Sequence, residues 1–453
     1  MKKISISAIF IFVLLLGQTA RATNGDQLIS LGAYGEGMAG AVTAAPGDST
    51  TAVTNPAGLT KVGARTDLNF EMFMPVRTMD FSQSGGSSST GGSPMYLLPN
   101  ASFNAPINDD NTLFFSMGFY LVAGFGVDYD VMNTTYFLNN PPTMPPTGPL
   151  FTGHVFSQYQ FWKIAPAIAK KWDNLSVGAA LNIDYQQLAI KEWFTNNTAM
   201  PAAYGGGAPG TFAMGIDAAT PAGSLVYGFT LGALYEVSDS LSIGINYISQ
   251  QNFGDIQYRL AGGDINYAPG GIGSTFYTSQ NGVYSLHDFN FPQQYSIGLA
   301  YKPMEGMLIA ADFKTIKFGD TMKNMTINGN YITNQGQPTQ GTATSMVLPI
   351  NWSDVNVWAL ALQYELVKSS VIRVGYNQAN SPFGSGADTS ANWASPAIIT
   401  THYTVGFTQD FGKQWEVNLA YVDAPKQTQN GVANETISLG GSSFTFDVTC
   451  LFR

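Results

Sequence analysis

Side chains able to perform acid–base or nucleophilic chemistry are scarce in this chain. It holds three histidines, His154, His287 and His402, and a single cysteine, Cys450. A hydrolase pairs a histidine with a serine or an acid to activate a nucleophile or water. Asp288 directly follows His287, but neighbouring side chains of an extended strand point to opposite faces. We therefore expect no enzymatic activity and no cofactor, and no zinc, calcium or phosphate-loop spacing predicts a metal site.

The composition excludes several other classes of protein. Of the 453 residues, 45% are apolar and only 11% are charged, whereas soluble domains carry about 25% charged residues. The formal charge of −10 and the absence of a basic run argue against nucleic acid as a partner. A lone cysteine excludes an intrachain disulfide framework. The composition favours one large β-structure that faces something other than water.

Residues 1–22 predict a cleaved secretory signal peptide. Lys2 and Lys3 precede an apolar stretch over 4–16, and Ala20-Arg21-Ala22 fits a cleavage site. The alternative is a membrane anchor, but the stretch is shorter than the roughly 20 residues that span a bilayer. We expect export from the cytoplasm.

The rest of the chain alternates between apolar and polar residues, as at 175–186 and 241–247. Successive side chains of a strand point to opposite faces, so each such segment has one apolar and one polar or small face. The pattern predicts 14 strands, near 66–81, 95–107, 113–129, 157–172, 175–194, 225–238, 241–260, 289–304, 307–318, 355–367, 370–382, 402–412, 415–424 and 443–453.

The connections between these strands differ in length in a regular order. Six are short and polar, and they alternate with seven longer stretches rich in Gly, Pro, Asn, Thr and Ser, such as 130–156, 195–224, 261–288 and 319–354. Outer-membrane barrels have short periplasmic turns and long extracellular loops, whereas a soluble sandwich has no reason to sort its loops in this way. The sequence therefore predicts an all-β fold, a 14-stranded antiparallel transmembrane β-barrel over 66–453. Aromatic residues near strand ends suit interfacial girdles, although some would be core residues: Phe161, Trp162, Trp172, Trp193, Trp352, Trp358 and Trp415.

Residues 23–65 form a different kind of segment, rich in Gly, Ala and Thr and without alternation. So short a chain with so little bulk cannot bury enough apolar area to fold alone. It is either a flexible periplasmic tail or a plug in the lumen. A barrel of this size has an interior that needs filling if it is to be selective, and we favour an N-terminal hatch.

The segment that ends in Asn55-Pro56-Ala57-Gly58-Leu59 resembles the hatch of FadL/TodX-type outer-membrane transporters of long-chain fatty acids and aromatic hydrocarbons. The order of signal peptide, hatch and 14 strands is similar to that family as well. Further stretches that resemble its late strands are Trp352-Ser353-Asp354, 360–364, 373–376 and Ser381-Pro382.

The resemblance implies capture of an apolar solute, a hydrophobic pocket above the hatch, and a lateral route to the membrane through a kink in the third strand. Gly124, Phe125 and Gly126 are the kink candidates, because glycine inside a strand often marks a bulge or bend. The alternative is that the two glycines are ordinary small residues facing the lumen. Asn55, Pro56 and Ala57 form the hatch motif.

A lipid-like cargo is also suggested by the apolar residues within loops 130–156 and 195–224, since small-molecule sites combine apolar walls with few polar groups. A fatty carboxylate needs a cation, because an unpaired buried charge is costly. Lys191 and Lys314, near the predicted outer ends of the fifth and ninth strands, are candidates, and the alternative for both is a solvated charge at a strand end.

The sequence thus predicts an outer-membrane protein for uptake of hydrophobic compounds, with long-chain fatty acids carried by passive diffusion through a hatch-gated barrel. Aromatic hydrocarbons as cargo, a nonspecific porin for polar solutes, and a surface adhesin are the alternatives. Expected partners are the hydrophobic cargo, outer-membrane lipid and lipopolysaccharide, and the chain is expected to be a monomer.

Overall fold

A computed structural model describes residues 24–134, 150–199, 207–269, 274–334, 340–432 and 434–452. The predicted signal peptide, 1–22, lies outside the described residues. So do most of loop 130–156 and part of loop 195–224.

Fourteen antiparallel strands form a closed barrel, as the sequence predicts. Each strand pairs with its neighbours along the chain, and the first pairs with the last from Arg65 opposite Leu451 to Asp80 opposite Thr436. The strands are β1 Arg65–Asp80, β2 Tyr96–Pro106, β3 Leu113–Thr134, β4 Leu150–Ile164 continued by Ala167–Trp172, β5 Leu175–Asn196, β6 Ala213–Ser238, β7 Leu241–Ile248, β8 Gln294–Met304, β9 Met307–Ile316, β10 Val355–Val367, β11 Ser370–Ala379, β12 Thr401–Phe411, β13 Trp415–Asn430 and β14 Thr436–Leu451.

The two ends of the barrel differ, and we call them the turn end and the loop end. At the turn end, all six predicted short turns join consecutive strands, from β2 and β3 to β12 and β13. At the loop end, strand structure continues into segments that the sequence assigned to loops 261–288 and 319–354. These extensions are Ile265–Tyr267, Phe276–Ser279, Gly282–His287, Asn324–Asn334 and Gln340–Pro349. Gly282–His287 also pairs with Ile256–Leu260, which lies within the predicted strand 241–260 and is separate from β7.

Short helices occupy the N-terminal segment and one loop. They are α1 Gly32–Gly37, α2 Thr51–Thr54, α3 Leu59–Val62 and, between β11 and β12, α4 Ala387–Ser390, and 3-10 turns are formed by Pro56–Gly58, Ser82–Ser84 and Phe318–Asp320. None of the helices among the described residues is long and apolar enough to cross a membrane.

The outer face of the barrel is apolar. Large side chains such as Tyr227, Ile245 and Leu360 are about half exposed, while the alternate residues point inward. Of the aromatic residues considered for the girdles, Trp172, Trp358 and Trp415 are exposed, whereas Phe161 and Trp352 are buried inside. Because β1 pairs with β14, no strand edge is unpaired at the seam between them. A sheet can span a lipid bilayer only when its edges are paired in this way.

Candidate functional site

The N-terminal segment lies inside the barrel and fills the half of the lumen nearer the turn end. Inward carboxylates from separate strands accept its backbone N–H groups: Asp447 of β14 from Ala33 at 2.6 Å, and Asp312 of β9 from Thr43 at 2.8 Å. The Asn104 amide of β2 also binds the hatch segment, donating to the Leu59 carbonyl at 2.9 Å. We call residues 24–62 the hatch.

Beside the hatch, the inward face of the wall presents a set of buried ionic side chains: Arg65, Asp67, Glu71, Asp312, Arg373 and Asp447. An ionised carboxylate that accepts backbone N–H bonds is stabilised, so charges of the wall can hold a segment that has little apolar bulk of its own.

Asn55 and Pro56 lie at the centre of the hatch-to-wall contact. The Asn55 Nδ2 donates to the carbonyls of Thr43 at 2.6 Å and Ala233 at 3.2 Å, and its Oδ1 accepts the N–H of Ala57 at 3.2 Å. The wall residue opposite Asn55 is Gly232, where an added Cβ would lie 2.0 Å from Asn55 Oδ1. The amide therefore joins the two halves of the hatch to β6, and the contact is possible only because the wall residue has no side chain.

The half of the lumen nearer the loop end is filled by a large apolar cluster instead. The loop between β11 and β12 folds inward, and its Trp393 packs against Phe81 at 5.3 Å and Phe194 at 5.9 Å between ring centroids. Phe212, Met214 and Ile216, apolar residues of the predicted loop 195–224, lie in or against this cluster, and the last two belong to β6.

A cavity lies where the hatch meets the apolar cluster. Its walls are mainly apolar and include Leu28, Ile29 and Val122, and two lysines, Lys163 and Lys314, reach it as well. The Lys163 ammonium is buried and pairs with Asp184 at 3.0 Å. Among the described residues, Lys314 Nζ has no hydrogen bond or ion pair, so its charge is available to a ligand.

Lys191, the other lysine predicted from the sequence, is not part of this cavity. It forms a half-buried ion pair with Asp217 at 2.5 Å. Lys163, in contrast, was missed. Lys163 points inward in β4, as do the alternate residues Ser157, Tyr159 and Phe161. The alternation within the predicted strand 157–172 could therefore have identified it as a residue of the lumen.

The wall beside the cavity is interrupted at β3. The β2–β3 ladder ends at Ala101 opposite Phe119, yet β3 continues to Thr134 paired only with β4, with a register shift at 121–123. The Asn100 side chain accepts the N–H of Leu121 at 2.9 Å where the strands part. We call the gap between residues 96–99 of β2 and 122–126 of β3 the window.

The start of the hatch takes the place of β2 along this free edge. Leu28 N–H donates to the Val122 carbonyl at 3.4 Å, Gly124 N–H donates to the Asp26 carbonyl at 2.9 Å, and Gln27 forms a bridge with Ala123. Because Leu28 and Val122 also line the cavity, the window and the cavity share one wall, and the hatch covers the window from the lumen.

The kink candidates lie within the displaced part of β3, a few residues past the point where the strands part. Gly124 carries the hydrogen bond to the hatch, Phe125 packs on Tyr159 at 5.0 Å, and the Gly126 carbonyl accepts a hydrogen bond from Arg77. Their roles in transport stay predictions.

A closed barrel with a luminal hatch, an amphipathic cavity and a window in its wall defines a hatch-gated transport barrel. The sequence matches the family described as outer membrane protein transport protein (OMPP1/FadL/TodX) over residues 14–450, and the chain belongs to that family. It is an outer-membrane transport protein for hydrophobic compounds.

Solved structures support the same fold. The toluene transporter TodX of P. putida superposes with a TM-score of 0.66 at 17% identity, covering 94% of this chain and 99% of that one. The toluene transporter TbuX of Ralstonia pickettii gives 0.64 at 16%, with the same coverage. A FadL homologue of Pseudomonas aeruginosa gives 0.66 at 12%, covering 95% and 100%. No curated protein is detectably similar in sequence.

The contacts of Asn55 yield the first prediction. Asn55→Ala removes three hydrogen bonds, each worth about 1 kcal/mol net, and should loosen the hatch enough to raise ion conductance in planar bilayers. The control is Lys61→Ala, which removes only a partly buried ion pair with Glu236. Conductance that rises equally in both variants would contradict a special role for Asn55.

Buried acids make docking of the hatch depend on pH. Burial raises the pKa of Asp26 from 3.8 to about 7, and burial together with the Asp67 carboxylate raises the pKa of Asp48 to about 7. Because both values are higher in the docked hatch than in water, docking is most stable below pH 3.8 and weakens as pH rises through about 7.

We expect a cysteine at Leu28, in a Cys450→Ser background, to be labelled by a maleimide faster at pH 8 than at pH 6, after normalisation to a free peptide with the same cysteine. Asp26→Asn with Asp48→Asn should flatten this dependence. An unchanged pH profile in the double variant would assign the effect to other groups.

The two glycines of the window predict a graded effect. A Cβ at Gly124 would lie 2.8 Å from the Tyr159 carbonyl oxygen, and one at Gly126 would lie 3.1 Å from the Ser157 carbonyl oxygen. Gly124→Ala must therefore shift the backbone and should lower uptake more than Gly126→Ala. Equal uptake by both variants and the parent chain would show that the close approach is not needed for transport.

Proposed function

We propose that the protein carries long-chain fatty acids inward across the outer membrane by passive diffusion, without chemical change to the cargo. The observation that carries the proposal is the cavity between hatch and apolar cluster, which joins an apolar wall to the ammonium of Lys314. An amphipathic cavity of this kind suits a molecule with a hydrocarbon chain and one anionic end.

The charges around the cavity favour a carboxylate. Lys163 is already paired with Asp184 at 3.0 Å, whereas Lys314 makes no ion pair among the described residues. The Asp312 carboxylate, two residues from Lys314, accepts the N–H of Thr43. A charge-assisted hydrogen bond from Lys314 to a fatty carboxylate would compensate the removal of both charges from water.

The proposed route runs from the loop end through the apolar cluster to the cavity, and from there through the window into the membrane. Apolar side chains line the cluster and the cavity, so a hydrocarbon chain stays out of water along the whole route. Favourable burial of apolar surface then drives uptake. We further propose that the chain acts as a monomer among outer-membrane lipid and lipopolysaccharide, since its barrel closes on itself.

Aromatic hydrocarbons are the second candidate cargo. A separate small cavity at the loop end is lined by apolar residues and tyrosines, among them Ile190, Ile265 and Leu286, with no charged side chain. Such a cavity suits a neutral solute, and two of the similar structures are named as toluene transporters. A nonspecific porin is disfavoured because the hatch and the apolar cluster fill the described lumen.

The test compares ligands that differ only in charge. Lys314→Met should weaken oleate binding by about 10- to 100-fold, the equivalent of a charge-assisted hydrogen bond of about 1.5–3 kcal/mol, and leave methyl oleate unchanged. Lys314→Arg should keep most of the affinity. Lys191→Met is the matched control, because Lys191 lies outside the cavity and pairs with Asp217.

Uptake in cells lacking their own carrier then separates the alternatives. Saturable oleate uptake that falls in Lys314→Met supports the fatty-acid proposal. Uptake of toluene without oleate would assign the hydrocarbon cargo, and free passage of small sugars would overturn the carrier in favour of a porin.

A further inference from the structure

Arg77 of β1 bridges the two sides of the window at its loop end. Its Nη1 donates to the Tyr96 hydroxyl of β2 at 3.1 Å and to the Gly126 carbonyl of β3. Its Nη2 donates to the Ser93 carbonyl at 2.5 Å, and the guanidinium lies 5.5 Å from the Tyr96 ring centroid. The side chain is 4% exposed, so this arrangement is a buried one.

The free edge of β3 explains why such a bridge is useful. Residues 122, 124 and 126 direct their backbone groups to the side that β2 has left. The hatch satisfies Val122 and Gly124, and Arg77 satisfies Gly126. When the hatch withdraws, Val122 and Gly124 lose their partners, whereas the bond from Arg77 does not depend on the hatch.

An unpaired strand edge next to lipid tends strongly to find a partner. The nearest partner for residues 122–126 is the unpaired side of β2 at 96–99, and pairing there would close the window. A rigid guanidinium with donors in a fixed fork can hold two strands at a set separation. A Cβ on Gly92 would lie 2.6 Å from Arg77 Nη2, so the lack of a side chain at Gly92 leaves room for the guanidinium.

We propose that Arg77 is a positioning residue of the lateral exit: it fixes the loop-end edge of the window and keeps β3 apart from β2 while the hatch is withdrawn. Asn100, which accepts the N–H of Leu121 at 2.9 Å, marks the other edge. The inference rests on the proposed function, because it needs a cargo that leaves through the wall.

The test separates passage from binding. Arg77→Leu should leave the oleate Kd in the cavity unchanged within about twofold, since Arg77 does not line it, and should lower the uptake rate by about tenfold, which corresponds to about 1.4 kcal/mol. Methyl oleate uptake should fall equally, because the role is geometric. Arg77→Lys should restore part of the rate, and Tyr96→Phe should have a smaller effect.

Arg259→Leu, which removes an exposed arginine at the loop end, is the matched control and should transport normally. The heat-sensitive electrophoretic mobility of a folded barrel checks that each variant folds. Spin labels on β2 and β3, in a Cys450→Ser background, should report a shorter distance across the window in Arg77→Leu.

Three outcomes would overturn the proposal. Loss of oleate uptake with normal methyl oleate uptake would make Arg77 an anion contact. A weaker oleate Kd would place it in the binding site, and unchanged rates would remove it from the route. If the parent chain carries toluene and not oleate, the fatty-acid proposal fails, yet the same Arg77 comparison with toluene still tests the window.

Discussion

Pairing of backbone groups is the constraint on which this structure depends. A barrel wall in lipid must satisfy its N–H and C=O groups within the protein, and the closed ladder from β1 to β14 does so. The parting of β2 from β3 after Phe119 leaves several backbone groups of β3 without a strand partner. They are satisfied from inside, by residues 26–28 and by Arg77. The interruption of the barrel wall between β2 and β3 therefore depends on the hatch, which supplies hydrogen-bond partners to β3.

The two halves of the lumen are held by different forces. Toward the turn end, wall carboxylates such as Asp312 and Asp447 bind the backbone of a hatch made of small residues. Toward the loop end, aromatic and aliphatic side chains pack against one another. The cavity lies where these environments meet, which is why both apolar side chains and two lysines line it.

Much of the fold can be predicted from the sequence, because alternation with period two is strong in strands that face lipid. Alternation also held in β14, where Phe446 is exposed and Asp447 is buried. The loop-end extensions, such as Asn324–Asn334, were missed, although Met325, Ile327 and Tyr331 of that strand are buried and are separated by polar residues. Their pairing is decided by neighbouring strands, which local sequence does not report.

The site was less predictable, for a related reason. Its contacts join residues far apart in the chain: Gly124 with residue 26 of the hatch, and Arg77 with Gly126. Alternation could have placed Lys163 in the lumen, but it does not tell which inward lysine finds an acid. Lys163 pairs with Asp184, while Lys314 has no ion pair among the described residues. This difference depends on packing in three dimensions.

Because the cavity and the window share one wall, only a small part of the hatch has to move to open the route between them. Two backbone hydrogen bonds join the start of the hatch to β3, and each contributes about 1 kcal/mol net. Separation of this segment would break these two bonds and the bond from the Gln294 amide of β8 to Gln27 at 2.9 Å, and would expose the buried residues 24–27. The remaining hatch contacts, through Asn55 and the wall carboxylates, need not break. Local displacement of residues 24–28 can uncover the window while the rest of the lumen stays closed to polar solutes.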